Sequence, residues 1–342
     1  MNGTQRARAA LAALPRVRLA ELPTPLTECA RLSEILAGPR ILVKRDDCTG
    51  LALGGNKVRQ HEYVLGDALA GGADCLVQGA AAQSNHSRQL AAAGARLGIE
   101  THLLPKVDDP EAPIQGNHLL DHLLGAVIHP IRSTDSTIAA KESLARRLRE
   151  QGRHPYVMGM GAQRALVLAA VAYVGAVLEL ADQLDRAPTA IVTTSQGSTQ
   201  AGLVLGCRLL GWDTQVVGIC PMPPDHEAWN APTAIAGMAS EAAALLGEDL
   251  APQDFPIELR QEFVGPGYGI GSPEGREAMA LLGRTEGMLL DPVYTAKGFA
   301  GLLADVRAGR WGPGDDVVFC HTGGLPGLFA QPDEVLAAAT PP

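Results

Sequence analysis

Short apolar runs recur along this chain, separated by amphipathic or alanine-rich stretches, and that alternation constrains the fold more than any other feature. Ile41–Lys44, Cys75–Gln78, Thr101–Leu104, Ala190–Thr193, Val216–Ile219 and Asp316–Cys320 read as strands. Helices are predicted between them near residues 58–71, 86–97, 137–151, 164–184, 200–210, 231–247, 273–286 and 296–308. Parallel strands need crossover connections, which the helical stretches supply, and strands covered on both faces read as continuous apolar runs. The expectation is an α/β protein whose mostly parallel sheets carry helices on both faces. Ligands of such sheets gather beyond the carboxyl ends of the strands. A length of 342 residues suits two domains or one large one. No long linker divides the chain, so two lobes built from interleaved segments are expected, with crossings near residues 45–55 and 155–165.

Composition narrows the class of partner. The 28 basic and 37 acidic residues leave a net charge of −9, which offers no diffuse basic surface to nucleic acid or anionic lipid. Hydrophobic residues make up 46% and charged residues 19%, enough to bury a core. Cys29, Cys48, Cys75, Cys207, Cys220 and Cys320 are far apart with no C-x-x-C, so neither a disulfide framework nor a thiolate metal site is expected. The apolar run Ala165–Leu178 ends short of the roughly 20 residues a membrane span needs and reads as a buried helix. The Ala/Leu stretch after Arg6 and Arg8 is interrupted by Pro15 and Arg16, unlike a secretory leader. A cytoplasmic protein with no membrane partner is expected.

Four glycine-rich segments stand at strand or helix ends: Gly50–Lys57, Gly79–His86, Thr193–Gln200 and His321–Gly324. Any one of them alone reads as a tight turn. The segment Thr194-Ser-Gln-Gly-Ser-Thr199 follows an apolar strand and opens an apolar helix, where free N–H groups and the positive end of the helix dipole suit a phosphate. It lacks the Lys-Ser/Thr of a Walker loop, and no G-x-G-x-x-G follows the first strand, so a small phosphorylated cofactor fits better than ATP or NAD. Lys57 follows Gly54-Gly55-Asn56 at a helix start. A helix N-terminus disfavours the ammonium form, which makes the amine a better nucleophile toward a carbonyl. Lys57 therefore reads as a Schiff-base lysine.

Several segments together carry a family resemblance: Leu22-Pro-Thr-Pro-Leu26, Lys44-Arg-Asp-Asp-Cys-Thr-Gly50, Gly54-Gly-Asn-Lys-Val-Arg59, Gln83-Ser-Asn-His-Ser-Arg-Gln89, Gly267-Tyr-Gly-Ile270, Leu290-Asp-Pro-Val-Tyr-Thr-Ala-Lys297 and His321-Thr-Gly-Gly324. In that order, over most of the chain, they resemble the pyridoxal-phosphate enzymes of the D-cysteine desulfhydrase and 1-aminocyclopropane-1-carboxylate deaminase family. The resemblance implies a tryptophan-synthase-β-like enzyme of fold type II. It implies a large cofactor-binding domain of residues 1–50 and 160–342, a small inserted domain of residues 51–159, and a homodimer. Lys57 falls on the family's Schiff-base lysine, Asn85 beside the cofactor's 3′-oxygen, and Ser84 on the residue that contacts the substrate carboxylate and assists proton transfer. Gln196, Gly197, Ser198 and Thr199 fall on the phosphate cup, Tyr268 and Tyr294 on the two active-site tyrosines.

The resemblance also separates the family's branches. Thr295 stands where the deaminase branch has a glutamate partnering the pyridine nitrogen, and Thr322 falls on the neutral hydroxyl that does so in the desulfhydrase-like branch. A hydroxyl leaves the ring largely unprotonated and favours prompt loss of a β leaving group. The implied reaction is α,β-elimination from a small polar amino acid such as D-cysteine, with Lys57 or Ser84 taking the Cα proton. Release of sulfite from L-cysteate, ring opening of the cyclic substrate, β-replacement, a specialised biosynthetic lyase and a catalytically silent cofactor-binding homologue stand as alternatives. In place of the family's Gly-Gly-Ser-Asn-Pro-like turn the chain reads Gly159-Met-Gly-Ala-Gln-Arg164. Gln163 and Arg164, with Ser84, Asn85 and His86, are thus expected at the substrate, unless Arg164 caps its helix from the solvent side. His118 and His122 read as surface histidines, Cys48 as a packing residue, and no metal is expected.

Overall fold

A computed structural model describes residues 2–159, 161–195, 197–223 and 231–339. The elements run α1 (Gly3–Ala13), β1 (Leu26–Glu28), α2 (Ala30–Leu36), β2 (Arg40–Lys44), α3 (Asn56–Ala70), β3 (Cys75–Ala81), α4 (Asn85–Leu97), β4 (Glu100–Lys106), α5 (Gly116–Leu123), β5 (Val127–Ile128) and α6 (Thr137–Glu150). They continue with β6 (Pro155–Val157), α7 (Gln163–Gln183), β7 (Ala190–Thr194), α8 (Ser198–Leu210), β8 (Gln215–Ile219), α9 (Pro232–Leu245), β9 (Glu258–Arg260), α10 (Pro273–Glu286), α11 (Thr295–Arg307), β10 (Asp316–Cys320), α12 (Pro326–Ala330) and α13 (Pro332–Ala339).

The strands form two sheets, as the alternation predicts. The larger has the order β1-β2-β10-β7-β8-β9, and the smaller β5-β4-β3-β6. Every pairing is parallel except that of β1 with β2, which closes one edge of the larger sheet. All strands of the smaller sheet come from residues 75–157, and those of the larger from residues 26–44 and 190–320. β7 and β10 are buried at every position, the signature of a sheet covered on both sides.

One core cluster joins α3 and α7 to both sheets, through residues such as Leu42, Val58, Leu65, Leu76, Val171 and Ile191. By length and composition α7 is apolar enough to cross a membrane, longer than the sequence run alone suggested. Its apolar surface is instead spent inside the protein, on residues such as Leu168, Val171, Val174, Val177 and Leu180. The unpredicted strands β1, β5, β6 and β9 have two or three residues each, too few to show a period, and the helices α1, α2, α5, α12 and α13, of 5 to 11 residues, were also not predicted.

Candidate active site

A cavity of about 410 Å³ opens where the carboxyl ends of β3, β7 and β10 meet the N-termini of α3, α4 and α8. Lys57, Ser84, Asn85, His86, Ser198, Thr199, Tyr268, Tyr294 and Thr322 all line it, although the sequence spreads them over most of the chain. No aspartate or glutamate lines it among the described residues. Gly197 directly precedes Ser198 at the cavity wall, and Gln196 lies outside the described residues.

Two glycine turns set the position of Lys57. Gly54 and Gly55 have φ of 64° and 125°, and Gly323 has φ of 93°, conformations that favour glycine. The Asn56 N–H donates to the Thr322 carbonyl at 3.0 Å, and a Cβ at Gly323 would come within 2.7 Å of the Gly55 Cα. A Cβ at Gly55 would strike the Gln89 side chain. The turns therefore interlock only without side chains, and they hold the start of α3, with Lys57 as its second residue, against the end of β10. Burial lowers the Lys57 amine to about 8, so the desolvated cavity wall, more than the helix dipole, weakens its hold on a proton.

The segment expected to cradle a phosphate leads into α8, with Gln196 outside the described residues. Gly197 takes φ of 108°, and the chain turns directly into Ser198 and Thr199. First-turn N–H groups have no intrahelical partners and point at the cavity's end. The Thr199 hydroxyl accepts from Asn56 Nδ2 and from Gln60 Nε2, both at 3.2 Å. The helix that carries Lys57 is thereby hydrogen-bonded to the loop more than a hundred residues later. Asn56 and Gln60 stand at i and i+4, a signal present in the sequence that acquires meaning only once α8 is placed.

Ser84 caps α4, accepting from the Ser87 N–H at 3.2 Å, and keeps its own O–H to donate. The Asn85 amide oxygen accepts from Arg88 at 3.2 Å and Asn117 at 3.1 Å, leaving the amide nitrogen as the group available to the cavity. Arg88 is fully buried and also donates to the Gly54 carbonyl at 2.7 Å, so it ties α4 to the turn before Lys57. Sequence reading gave it no role. The Tyr268 and Tyr294 hydroxyls are hydrogen-bonded to each other, with their rings edge to face at 6.0 Å. Thr295 does not line the cavity, because its hydroxyl donates to Asp291 Oδ1 at 2.7 Å and accepts from the Asp291 N–H at 2.8 Å.

The expected substrate contacts of Gln163 and Arg164 are corrected by the geometry. Neither lines the cavity. Arg164 forms a two-pronged ion pair with Asp67 of α3, at 2.9 and 2.5 Å, with 61% of its side chain exposed, and Gln163 donates to Glu241 at 2.8 Å. Arg164 does lie on the solvent side, but it does not cap its helix, whose N-terminus has no side-chain cap: a guanidinium beside a ready carboxylate pairs with it. Cys48 is exposed and does not serve packing. His118 is mostly buried, its ring edge-on to His122 at 4.9 Å. Among the described residues no cluster of three or more metal-ligating side chains occurs.

The cavity's contents suit a small phosphorylated aldehyde: a desolvated amine, the N-terminus of a helix able to receive an anion, neutral hydroxyls and, among the described lining residues, no competing carboxylate. Comparison with known proteins agrees. Residues 17–323 match the family described as pyridoxal-phosphate dependent enzyme. The chain is 37% identical over 329 residues to the D-cysteine desulfhydrase of Salmonella newport, covering 94% of this chain and 97% of that protein. The D-cysteine desulfhydrase of Salmonella choleraesuis shows the same identity and coverage. A solved structure described as an ACC deaminase homologue superposes with a TM-score of 0.88 at 34% identity, covering 97% of this chain and 99% of that one. Diaminopropionate ammonia lyase of Escherichia coli, at 15% identity and a TM-score of 0.64 over 98% of this chain and 90% of that one, shares the fold. With a family match spanning nearly the whole chain, and with Lys57, Ser84, Ser198, Thr199 and Thr322 gathered in one cavity, the chain belongs to the pyridoxal-phosphate-dependent enzymes of fold type II.

Proposed function

We propose that the chain catalyses α,β-elimination from a small polar amino acid such as D-cysteine, with the cofactor held between a large domain of residues 1–50 and 160–342 and a small one of residues 51–159. The curated relatives are named for action on D-cysteine. The observation that carries the reading is the shared facing of Lys57, Ser84, Thr322 and the Tyr268–Tyr294 pair on a cavity free of carboxylates among its described lining residues.

When bound, pyridoxal phosphate supplies an aldehyde that takes up amines and a ring that withdraws electrons from the substrate Cα. Lys57 would hold the aldehyde, Gly197, Ser198 and Thr199 with Gln196 the phosphate, Asn85 the 3′-oxygen and Thr322 the ring nitrogen. Thr322 would offer that nitrogen a neutral hydroxyl; Thr295 is committed to Asp291, and no carboxylate among the described lining residues would compete to keep the nitrogen protonated. The Lys57 amine, lowered to about 8, would take up the Cα proton, with the Ser84 hydroxyl as the second group lining the cavity. The paired tyrosine hydroxyls supply a proton to the departing sulfur. The Cα–H and Cβ–S bonds break and a C=C bond forms, with sulfur leaving on the electron pair. One water then completes the balance from D-cysteine to pyruvate, ammonia and hydrogen sulfide, with no net redox change.

A substrate panel tests this. D-cysteine and 3-chloroalanine are expected to yield pyruvate, with sulfide released from the former; L-cysteate tests sulfite as the leaving group. Formation of 2-oxobutyrate from 1-aminocyclopropane-1-carboxylate contradicts the role given to Thr295 and Thr322, and absence of keto acid from every member overturns the assignment. Cytoplasmic location accords with six scattered cysteines that form no C-x-x-C, and a homodimer is the assembly to look for by light scattering.

A further inference from the structure

The cavity has a second wall that the elimination leaves unused. His61 lies one helical turn after Lys57 on α3 and is only 1% exposed, yet neither ring nitrogen makes a hydrogen bond of good geometry. Its ring lies 4.9 Å from that of His86. Gln78 on β3 uses its amide nitrogen on His86 Nδ1 at 3.4 Å, while its Oε1 is buried without a partner. The hydroxyl of Thr137, the first residue of α6, is likewise buried without a partner. Gln78 and Thr137 are 3% and 5% exposed, and both line the cavity with His61.

Buried polar atoms are nearly always satisfied, so leftover donors and acceptors gathered at one cavity wall point to ligand atoms as their partners. The space is kept by glycine. A Cβ at Gly159 would approach Gln78 Oε1 within 2.5 Å, and one at Gly79 would come 2.6 Å from Thr137 Cγ2. Desolvation lowers the His61 pKa to about 3 and moves that of His86 well down, so at neutral pH both rings are uncharged, each with one N–H and one acceptor nitrogen. Behind them Lys141 donates to the Met158 carbonyl at 2.7 Å.

We propose that His61, Gln78 and Thr137 form a subsite that hydrogen-bonds a polar group carried on the substrate's β-carbon. The chain then selects β-substituted alanines bearing oxygen or nitrogen over apolar ones of equal size. This rests on the amino acid occupying the cavity as proposed above.

The test is competitive inhibition of 3-chloroalanine turnover in the holoenzyme by both enantiomers of aspartate, asparagine and leucine. These place an anionic, a neutral polar and an apolar group of similar size on the β-carbon. Aspartate or asparagine is expected to inhibit about tenfold more tightly than leucine, as a satisfied hydrogen bond would give. The stronger of the two tells whether the subsite takes an anion or an amide. His61→Leu and Thr137→Val should each bring the ratio toward one, and His61→Gln, which keeps hydrogen-bonding capacity, should retain most of it. Equal inhibition by leucine, or a ratio untouched by both variants, overturns the subsite. If 3-chloroalanine is not turned over, the same ratio is read as Kd by calorimetric titration of the holoenzyme. A failed elimination and a failed subsite thus remain separate results.

Discussion

Lys57 shows how a residue's chemistry is set by where its neighbours leave it. Its amine is moved to about 8 by desolvation. Below that pH the group is an ammonium and cannot attack a carbonyl; above it the free amine predominates. The rate at which cofactor-free protein develops a visible absorption band with added pyridoxal phosphate should therefore rise up to about pH 8 and level off. A continued rise toward the ordinary lysine value near 10.4 would show the amine to be solvated. The candidacy of this lysine was legible in the sequence, because Gly-Gly-Asn-Lys at a helix start is a local pattern. The cause of its shift was not, since desolvation is a property of the assembled cavity. Arg164 teaches the converse: a guanidinium beside an unusual turn suggested a substrate anion, but Asp67, 97 residues earlier in another helix, captures it.

Among the elements, α3 does most to assemble the site. It carries Lys57 toward the cavity, His61 on the next turn, and Asn56 and Gln60 toward the start of α8. Gln60 donates to Ser198 and Thr199, the two hydroxyls at the proposed phosphate end. Gln60→Leu should loosen cofactor binding roughly tenfold, the scale of one or two net hydrogen bonds, in a titration of the absorption band. Unchanged affinity would mean the loop holds its shape without α3. The longer strands and most of the longer helices were readable because periodicity is local, and the ends of the predicted helices differ from the observed ones by at most two residues. The links between elements were not readable, because an i, i+4 pair states only which residues share a face, not what that face meets.

Across the whole molecule, a buried charge network fixes α3 and α7 to the turn after β2. Asp46 accepts from Arg59 at 2.8 Å, Tyr173 at 2.8 Å and Thr24 at 2.9 Å, and Arg59 also pairs with Glu179 of α7 at 2.6 Å. Burial alone would raise the Asp46 pKa, but the Arg59 charge and hydrogen bonds outweigh it and hold the carboxyl below its usual range. Its contribution is thus present above the unfolded value near 4 and lost as pH falls through the lower folded one. Asp46→Ala leaves Arg59 with one partner fewer and should cost about 3–5 kcal/mol in denaturant unfolding at neutral pH, with the difference from wild type shrinking in acid. A cost under about 1 kcal/mol would show that Glu179 suffices. The account of the whole molecule depends on one amine meeting one cofactor. Borohydride reduction of the cofactor-loaded protein followed by peptide mapping tests this directly: the label is predicted on the peptide containing Lys57 and absent from Lys57→Ala, and a label on any other lysine, or none, contradicts it.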